Sequence, residues 1–103
     1  MSYAMVLEAL SDPTRRAILE SLRNEPSNVT SLAQRQPVSR PAVSQHLKVL
    51  EQAGLVSVQT MGRNRIYAVR QEGLQELRQY LDQFWDDTLN AFQKEIYRRI
   101  AKN

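Results

Sequence analysis

The sequence predicts a mainly α-helical fold of the α+β class, with about five helices and one two-stranded β-hairpin. Apolar residues recur at spacings of three and four along most of the chain, which is the period of an amphipathic helix. Only the segment after Gly54 changes to a spacing of two, which indicates strands. The length of 103 residues is that of one domain. We therefore expect a single domain over residues 1–103, with a central unit at 11–70 and flanking helical segments at 1–10 and 71–103.

The first two helices are predicted from an apolar run and from a strong start signal. Residues 5–10 are mostly apolar and are expected to form a short first helix. Ser11 or Asp12 can accept hydrogen bonds from the free N–H groups that begin the second helix. Pro13 suits the first turn because no donor is needed there. The buried stripe of the second helix is predicted to contain Ile18, Leu19 and Leu22.

A short helix and a longer one follow, and a polar residue begins each. Thr30 is the predicted cap of the short helix at 29–35. Ser39 is the predicted cap of the longer helix, with Pro41 in its first turn, and Gly54 ends it in the left-handed conformation common after helix C-termini. Its buried stripe is predicted to contain Val43, Leu47 and Leu50.

A hairpin and a long helix complete the chain. Strands are predicted at 55–61 and 65–70, joined by the turn signal Gly62-Arg63-Asn64. From about Glu72 the pattern is helical for about 30 residues, or about 45 Å. A globule of this size has a radius of gyration of only about 13 Å. Part of the apolar stripe therefore extends beyond the domain, and we expect a second copy of the chain to cover it.

Basic residues are concentrated in the middle of the chain. The whole sequence has 14 Lys and Arg against 11 Asp and Glu, a net charge of +3. Residues 11–70 contain nine basic and four acidic residues, a net charge of +5, and each flanking segment has a net charge of −1. A basic central unit indicates a polyanionic partner. The sequence favours neither of two interpretations of Arg15, Arg16 and Arg23, which are a solvated helix face and a contact with phosphates.

The composition excludes several kinds of chemistry. With no Cys and one His, the chain has no disulfide, no thiolate metal site, no Cys nucleophile and no multi-His zinc site of its own. There is no Gly-rich phosphate loop and no convincing partner for His46, so we expect neither an enzyme nor a cofactor. The spacing of Asp82, Asp86 and Asp87 is more typical of a solvated helix face than of a cation site, so no bound metal is expected.

The same properties predict where the protein works. No apolar run approaches the length needed to span a bilayer, and the N-terminus does not have the pattern of a signal peptide. The absence of Cys fits a reducing compartment. We expect a cytoplasmic protein that does not contact a membrane.

The order of elements, two helices around a short turn and then a hairpin, is that of the winged helix-turn-helix fold. In that fold the second helix of the pair enters the major groove of double-stranded DNA. Gln45 can hydrogen-bond adenine, Arg40 can reach guanine or a phosphate, and Lys48 can reach a phosphate. Ser39 lies where the helix dipole favours a phosphate. The two arginines at the hairpin tip suit the DNA backbone or a minor groove. The predicted DNA-binding residues are Ser39, Arg40, Pro41, Ser44, Gln45, Lys48, Arg63, Asn64 and Arg65.

Three segments resemble the ArsR/SmtB family of winged-helix transcriptional repressors. They are SDPTRRAIL at 11–19, SRPAVSQHLKVLEQAGLV at 39–56 and GRNRIYAV at 62–69. The resemblance implies operator binding that blocks transcription and is ended by a signal. It also implies a homodimer formed by the first and last helices. The residues expected in that interface are Met5, Leu7, Leu77, Leu81, Phe84, Trp85, Thr88 and Phe92.

The departures from the family pattern concern metal sensing. Metal-sensing members have a Cys-rich ligand motif before the recognition helix, or His and acidic ligands on the last helix. Here residues 29–35 contain no Cys and residues 71–103 contain no His. The chain is therefore more similar to the metal-independent, SdpR-like branch. Trp85, Phe84 and Phe92 are expected to pack in the interface, and a ligand pocket there is the less favoured interpretation.

We therefore expect a sequence-specific regulator of transcription that binds double-stranded DNA as a dimer and represses its own or a neighbouring promoter. A small-molecule or protein effector is left open. The alternative is a protein-interaction adaptor that uses the winged helix as a scaffold. It is less favoured because residues 35–65 carry a net charge of +4. RNA binding is less favoured because Tyr67 is the only aromatic residue of the basic unit at 11–70.

Overall fold

The computed structural model describes residues 3–101, and their architecture is the mainly α fold with one hairpin that the sequence predicts. Five α-helices, one short 3₁₀ helix and one two-stranded antiparallel sheet make up this part of the chain. In chain order the elements are α1 at Tyr3–Leu10, α2 at Pro13–Asn24, α3 at Val29–Arg35, α4 at Arg40–Gln52, β1 at Val56–Met61, β2 at Asn64–Val69, the 3₁₀ helix at Gln71–Leu74 and α5 at Gln75–Ala101.

Side-chain caps begin three of the helices. The Oδ1 atom of Asp12 accepts hydrogen bonds from the backbone N–H groups two and three residues later, at 2.8 and 3.0 Å. Ser39 caps α4 as predicted, since its Oγ atom accepts from the N–H three residues later at 3.3 Å. The prediction that Thr30 caps α3 is wrong. Asn28 is the cap and accepts from the N–H three residues later at 2.8 Å, which leaves Thr30 exposed within the first turn.

One hydrophobic core joins the first four helices to the hairpin. The predicted stripe of α4 is buried completely, and this fixes the rotation of the helix about its axis because each aliphatic side chain removed from water stabilises the fold by about 1.5–3 kcal/mol. The opposite face of α4 is consequently held toward solvent. The buried apolar residues are Val6, Ala9, Ile18, Leu22, Leu32, Val43, Leu47, Leu50, Ala53, Leu55, Val56 and Tyr67.

The hairpin is closed by a two-residue turn and attached to the helices by its second strand. Val56 pairs with Val69 at one end of the sheet and Met61 with Asn64 at the other, so the turn consists of residues 62 and 63. The first turn residue has φ of +63°, which glycine adopts without strain. Tyr67 is buried and exchanges two backbone hydrogen bonds with the loop before α3, at 2.8 and 3.0 Å. The first strand begins one residue later than predicted and ends as predicted, and the second begins and ends one residue earlier than predicted.

The α5 helix extends far beyond the core. Its 27 residues correspond to about 40 Å, and the described chain measures 70 × 24 × 21 Å with a radius of gyration of 19.4 Å. The helical segment predicted from about Glu72 is present, and it begins as a 3₁₀ helix that α5 follows directly. There Gly73 passes so close to the Gly54 carbonyl oxygen that a side chain at Gly73 would clash with it. Within residues 3–101, no helix is both long enough and apolar enough to cross a membrane.

Candidate nucleic-acid interface

The outward face of α4 presents the polar residues that the sequence analysis assigns to DNA binding. Arg40, Ser44, Gln45 and Lys48 are all exposed, while the apolar residues between them face the core. Pro41 is exposed in the first turn. The result is an α-helix with one face free to approach a groove, and a major groove of DNA is wide enough to admit such a helix.

The hairpin tip carries the second group of predicted residues. Arg63 occupies the turn, and Asn64 and Arg65 begin β2; all three are exposed. The guanidinium carbon of Arg65 lies 5.9 Å from the centre of the Tyr67 ring, within the range of a cation–π contact. The side chain of Arg65 is therefore held along the strand, whereas Arg63 has no comparable contact among the described residues.

A groove joins the tip of the hairpin to the start of α4. It has a volume of about 230 Å³ and is lined by residues 28–30, by Arg40 and by residues 63–65. The fold thus brings Arg40 and the wing arginines together, although Gln45, Lys48 and Ser44 do not line the groove. Sequence analysis missed the contribution of residues 28–30. The signal that could have revealed it is the strong preference of asparagine for the cap position. With Asn28 as the cap of α3, Thr30 lies in the first turn with its side chain exposed to solvent.

Two of the three arginines of α2, Arg15 and Arg16, contact the end of α1. The Nε atom of Arg15 donates to the Ala9 carbonyl at 2.7 Å and its Nη2 donates to the Glu8 carbonyl at 3.1 Å. The Nη1 atom of Arg16 donates to the Leu10 carbonyl at 2.7 Å. Carbonyl groups at a helix C-terminus have no partner within the helix and carry the negative end of its dipole. Both arginines therefore stabilise the junction of α1 with α2.

Asp12 connects this junction to α4. The pKa of its carboxyl group is lowered, first by the hydrogen bond from the Arg15 backbone N–H and next by that from Thr14. The charge of Arg15 and the nearby imidazole of His46, a half-buried residue of α4, act on the Asp12 pKa in the same direction. His46 thus lies beside the start of α2, and its neighbour there is a helix-capping carboxylate.

Arg35 is also occupied within the fold. It forms an ion pair with Glu25 at 3.5 Å and donates hydrogen bonds to the hydroxyl oxygens of Ser27 and Ser21 at 2.9 and 3.2 Å. These contacts hold the end of α3 against the loop that follows α2. The basic surface that faces solvent is accordingly smaller than the charge of the sequence suggests.

An apolar surface lies on α1 and α5, away from the basic one. Seven of the eight residues predicted for a dimer interface are exposed, and Leu77 instead packs half-buried against the core. The two helices are held together by stacking of Tyr3 on Tyr80, whose ring contacts Phe84 edge to face. The large apolar side chains exposed on α5 are Leu81, Phe84, Trp85, Leu89, Phe92, Ile96, Tyr97 and Ile100. A helix face of this kind requires a cover in water.

A second helix with a free polar face, a basic hairpin beside it and a separate apolar helix define a DNA-binding protein of the winged helix-turn-helix class. The model of bacterial regulatory proteins of the arsR family matches residues 12–58. The chain is 49% identical over 89 residues to the HTH-type transcriptional regulator Rv2034 of Mycobacterium tuberculosis, which covers 86% of this chain and 83% of that protein. The chain therefore belongs to the ArsR family of transcriptional regulators.

Two further comparisons agree with this family. The transcriptional repressor SdpR of Bacillus subtilis is 35% identical over 71 residues, which cover 69% of this chain and 79% of that protein. A solution structure of the homodimeric winged helix-turn-helix DNA-binding domain of Mb0332 from Mycobacterium bovis matches with a TM-score of 0.66 at 25% identity, over 82% of this chain and 79% of that one. The fold and the relatives are those of transcriptional regulators rather than enzymes.

Proposed function

We propose that the chain is a homodimeric repressor that binds a specific operator in double-stranded DNA and controls its own or a neighbouring promoter in the cytoplasm. The observation that carries this proposal is the exposed face of α4 beside the basic wing. Gln45 and Ser44 would hydrogen-bond base edges in the major groove, whereas Lys48 and the wing would contact phosphates. This proposal is supported by two relatives, since SdpR is a transcriptional repressor and the Mb0332 domain is a homodimer.

The test is a footprint of the purified protein on the DNA upstream of its own coding region, at two salt concentrations. A dimer is expected to protect two half-sites separated by about one helical turn or a multiple of it. Affinity should fall steeply with salt because counterions are released from the DNA. Gln45→Ala is expected to lose the preference for the operator over random DNA. Equal losses on both kinds of DNA would contradict the role of Gln45, and no binding at low salt would favour the adaptor.

The dimer is proposed because α5 exposes an apolar face that α1 continues. Trp85 is 65% exposed, and the groove of about 310 Å³ beside it is lined by Leu81, Phe84 and Thr88. Trp85→Glu would place a charge in the interface and is expected to give monomers in sedimentation experiments. The matched control is Gln83→Glu, which adds the same charge about 200° around the helix. A monomeric wild-type chain at micromolar concentration would contradict the dimer.

We also propose that repression does not depend on metal ions bound through the ligand sites of the family. The sequence has no Cys and a single His, and residues 3–101 hold no group of His, Asp and Glu side chains arranged to bind a metal. Zinc or nickel is expected to leave both the unfolding temperature and the operator affinity unchanged. A rise in unfolding temperature with metal, or a loss of operator binding that a chelator reverses, would contradict this.

A further inference from the structure

The groove between the wing and α4 gathers positive charge that the protein does not neutralise. Arg40, Arg63 and Arg65 line it together with Asn64 and with residues 28–30, which are the cap and the first turn of α3. No acidic residue lines the groove, and within residues 3–101 none of these three arginines forms an ion pair. The like charges repel one another, and an anion bound between them would relieve that repulsion.

Two of the three arginines have no other contact that would explain their position. Arg65 lies over the Tyr67 ring, but Arg40 and Arg63 donate no hydrogen bond to any described residue. Thr30 is exposed on the wall of the same groove and offers a hydroxyl group. Guanidinium and hydroxyl donors around one concavity match the oxygens of a phosphate, which arginine binds with two parallel hydrogen bonds.

The path of DNA identifies the source of that phosphate. If α4 occupies a major groove and the wing reaches the adjacent minor groove, the strand of phosphates that separates the two grooves must pass between them. The groove that Arg40 and Arg63 share is the space between α4 and the wing tip. A free phosphate ion would meet the same donors, but only the backbone would be placed there by the proposed binding mode.

We propose that Arg40 and Arg63 bind one and the same backbone phosphate of the operator, with the Thr30 hydroxyl beside it. This inference rests on the proposed DNA-binding function and assigns Arg40 to the backbone rather than to a guanine. The start of α4 and the wing would then be joined through the DNA. The register of Gln45 along the major groove would be set by this shared contact.

The test measures coupling between single arginines and single phosphates. Duplexes of the footprinted operator are made with one neutral methylphosphonate linkage at each successive position, and affinities are measured for the wild type, Arg40→Gln and Arg63→Gln. At one position in each half-site, neutralisation should weaken wild-type binding about tenfold. Both variants should lose most of that sensitivity at the same position. Arg23→Gln, which removes an exposed arginine outside this groove, should retain it.

Two results would overturn the shared phosphate. In one, the variants lose sensitivity at different phosphates. In the other, Arg40→Gln keeps every phosphate sensitivity and loses preference for one base pair, as a guanine contact would. Both side chains are exposed, so the two variants are expected to unfold at the same temperature as the wild type. Equal unfolding temperatures then confirm that the variants are folded. A wild-type chain that binds no unmodified duplex would refute the proposed function itself. Inorganic phosphate and random DNA can also be added as competitors of the operator duplex. If they displace the operator from the wild-type chain equally well, the groove is an ion site unrelated to an operator.

Discussion

The arginines at the junction of α1 with α2 and those of the wing differ in what their guanidinium groups contact. Arg15 and Arg16 donate three hydrogen bonds to backbone carbonyls at the end of α1. Arg40 and Arg63 donate none to the described residues and lie on an open groove. The sequence shows both pairs as cations of one basic region. The hydrogen bonds distinguish the two pairs of arginines. A guanidinium group that is already paired within the fold loses that contact if it turns toward a ligand, whereas an unpaired one does not.

The largest expected effect is a loss of fold stability when an arginine of the α1–α2 junction is removed. Arg15→Ala removes two hydrogen bonds to backbone carbonyl groups at the end of α1, which are made by a side chain that is only 16% exposed. We expect a loss of about 2 kcal/mol in the free energy of unfolding, measured by urea denaturation. Arg15→Lys keeps the charge without the paired geometry and should recover only part of the loss. A full recovery would mean that charge alone matters at this junction.

The second prediction concerns Arg63 of the wing. Arg63→Ala should leave the free energy of unfolding within about 0.5 kcal/mol of the wild type, because this exposed side chain has no partner in the described fold. Its affinity for operator and for random DNA should fall alike, by about tenfold. The slope of log affinity against log salt should become smaller by about 1. Stability that falls together with affinity would place Arg63 in the same group as Arg15.

The smallest expected effect is a dependence of stability on pH at Asp12. Its pKa in the folded chain is lowered from 3.8 by the backbone N–H of Arg15 above all. The stabilisation it gives is therefore complete above the unfolded pKa and is lost as the pH falls through the folded one. Asp12→Asn keeps the capping oxygen but does not titrate. The gap in unfolding free energy between the wild type and this variant should narrow below pH 3.8. A constant gap between pH 7 and pH 3 would contradict the capping role of the charge.

The sequence predicted the elements well because their signals are local. The stripe of Val43, Leu47 and Leu50 specifies both a helix and the face that it buries, so the polar face opposite follows directly. Capping residues also act within one turn. The sequence does not distinguish Asn28 from Thr30 as the cap of α3, because both residue types cap helices and they lie two positions apart.

The remaining features depend on how elements meet. The partners of Arg15 lie six and seven residues away across a helix junction, where no periodic pattern reveals them. The groove combines the start of α3, the start of α4 and the hairpin tip, which are far apart in sequence. Net charge counted along the chain cannot distinguish Arg35, which is paired with Glu25, from Arg63, which is not. Such distinctions require the packed structure.

The close approach of Gly73 to Gly54 has a mechanical consequence. Two main chains touch at the point where the DNA-binding unit ends and the approach to α5 begins, without side chains that could repack between them. A helix about 40 Å long acts as a lever about this pivot, so a small rotation at its base becomes a large displacement at its far end. In a dimer joined through α5, the distance between the two recognition helices would then depend on this contact, together with the packing of Leu77 and the stacking of Tyr3 on Tyr80. Operator spacing would be the property most sensitive to a methyl group added at Gly73.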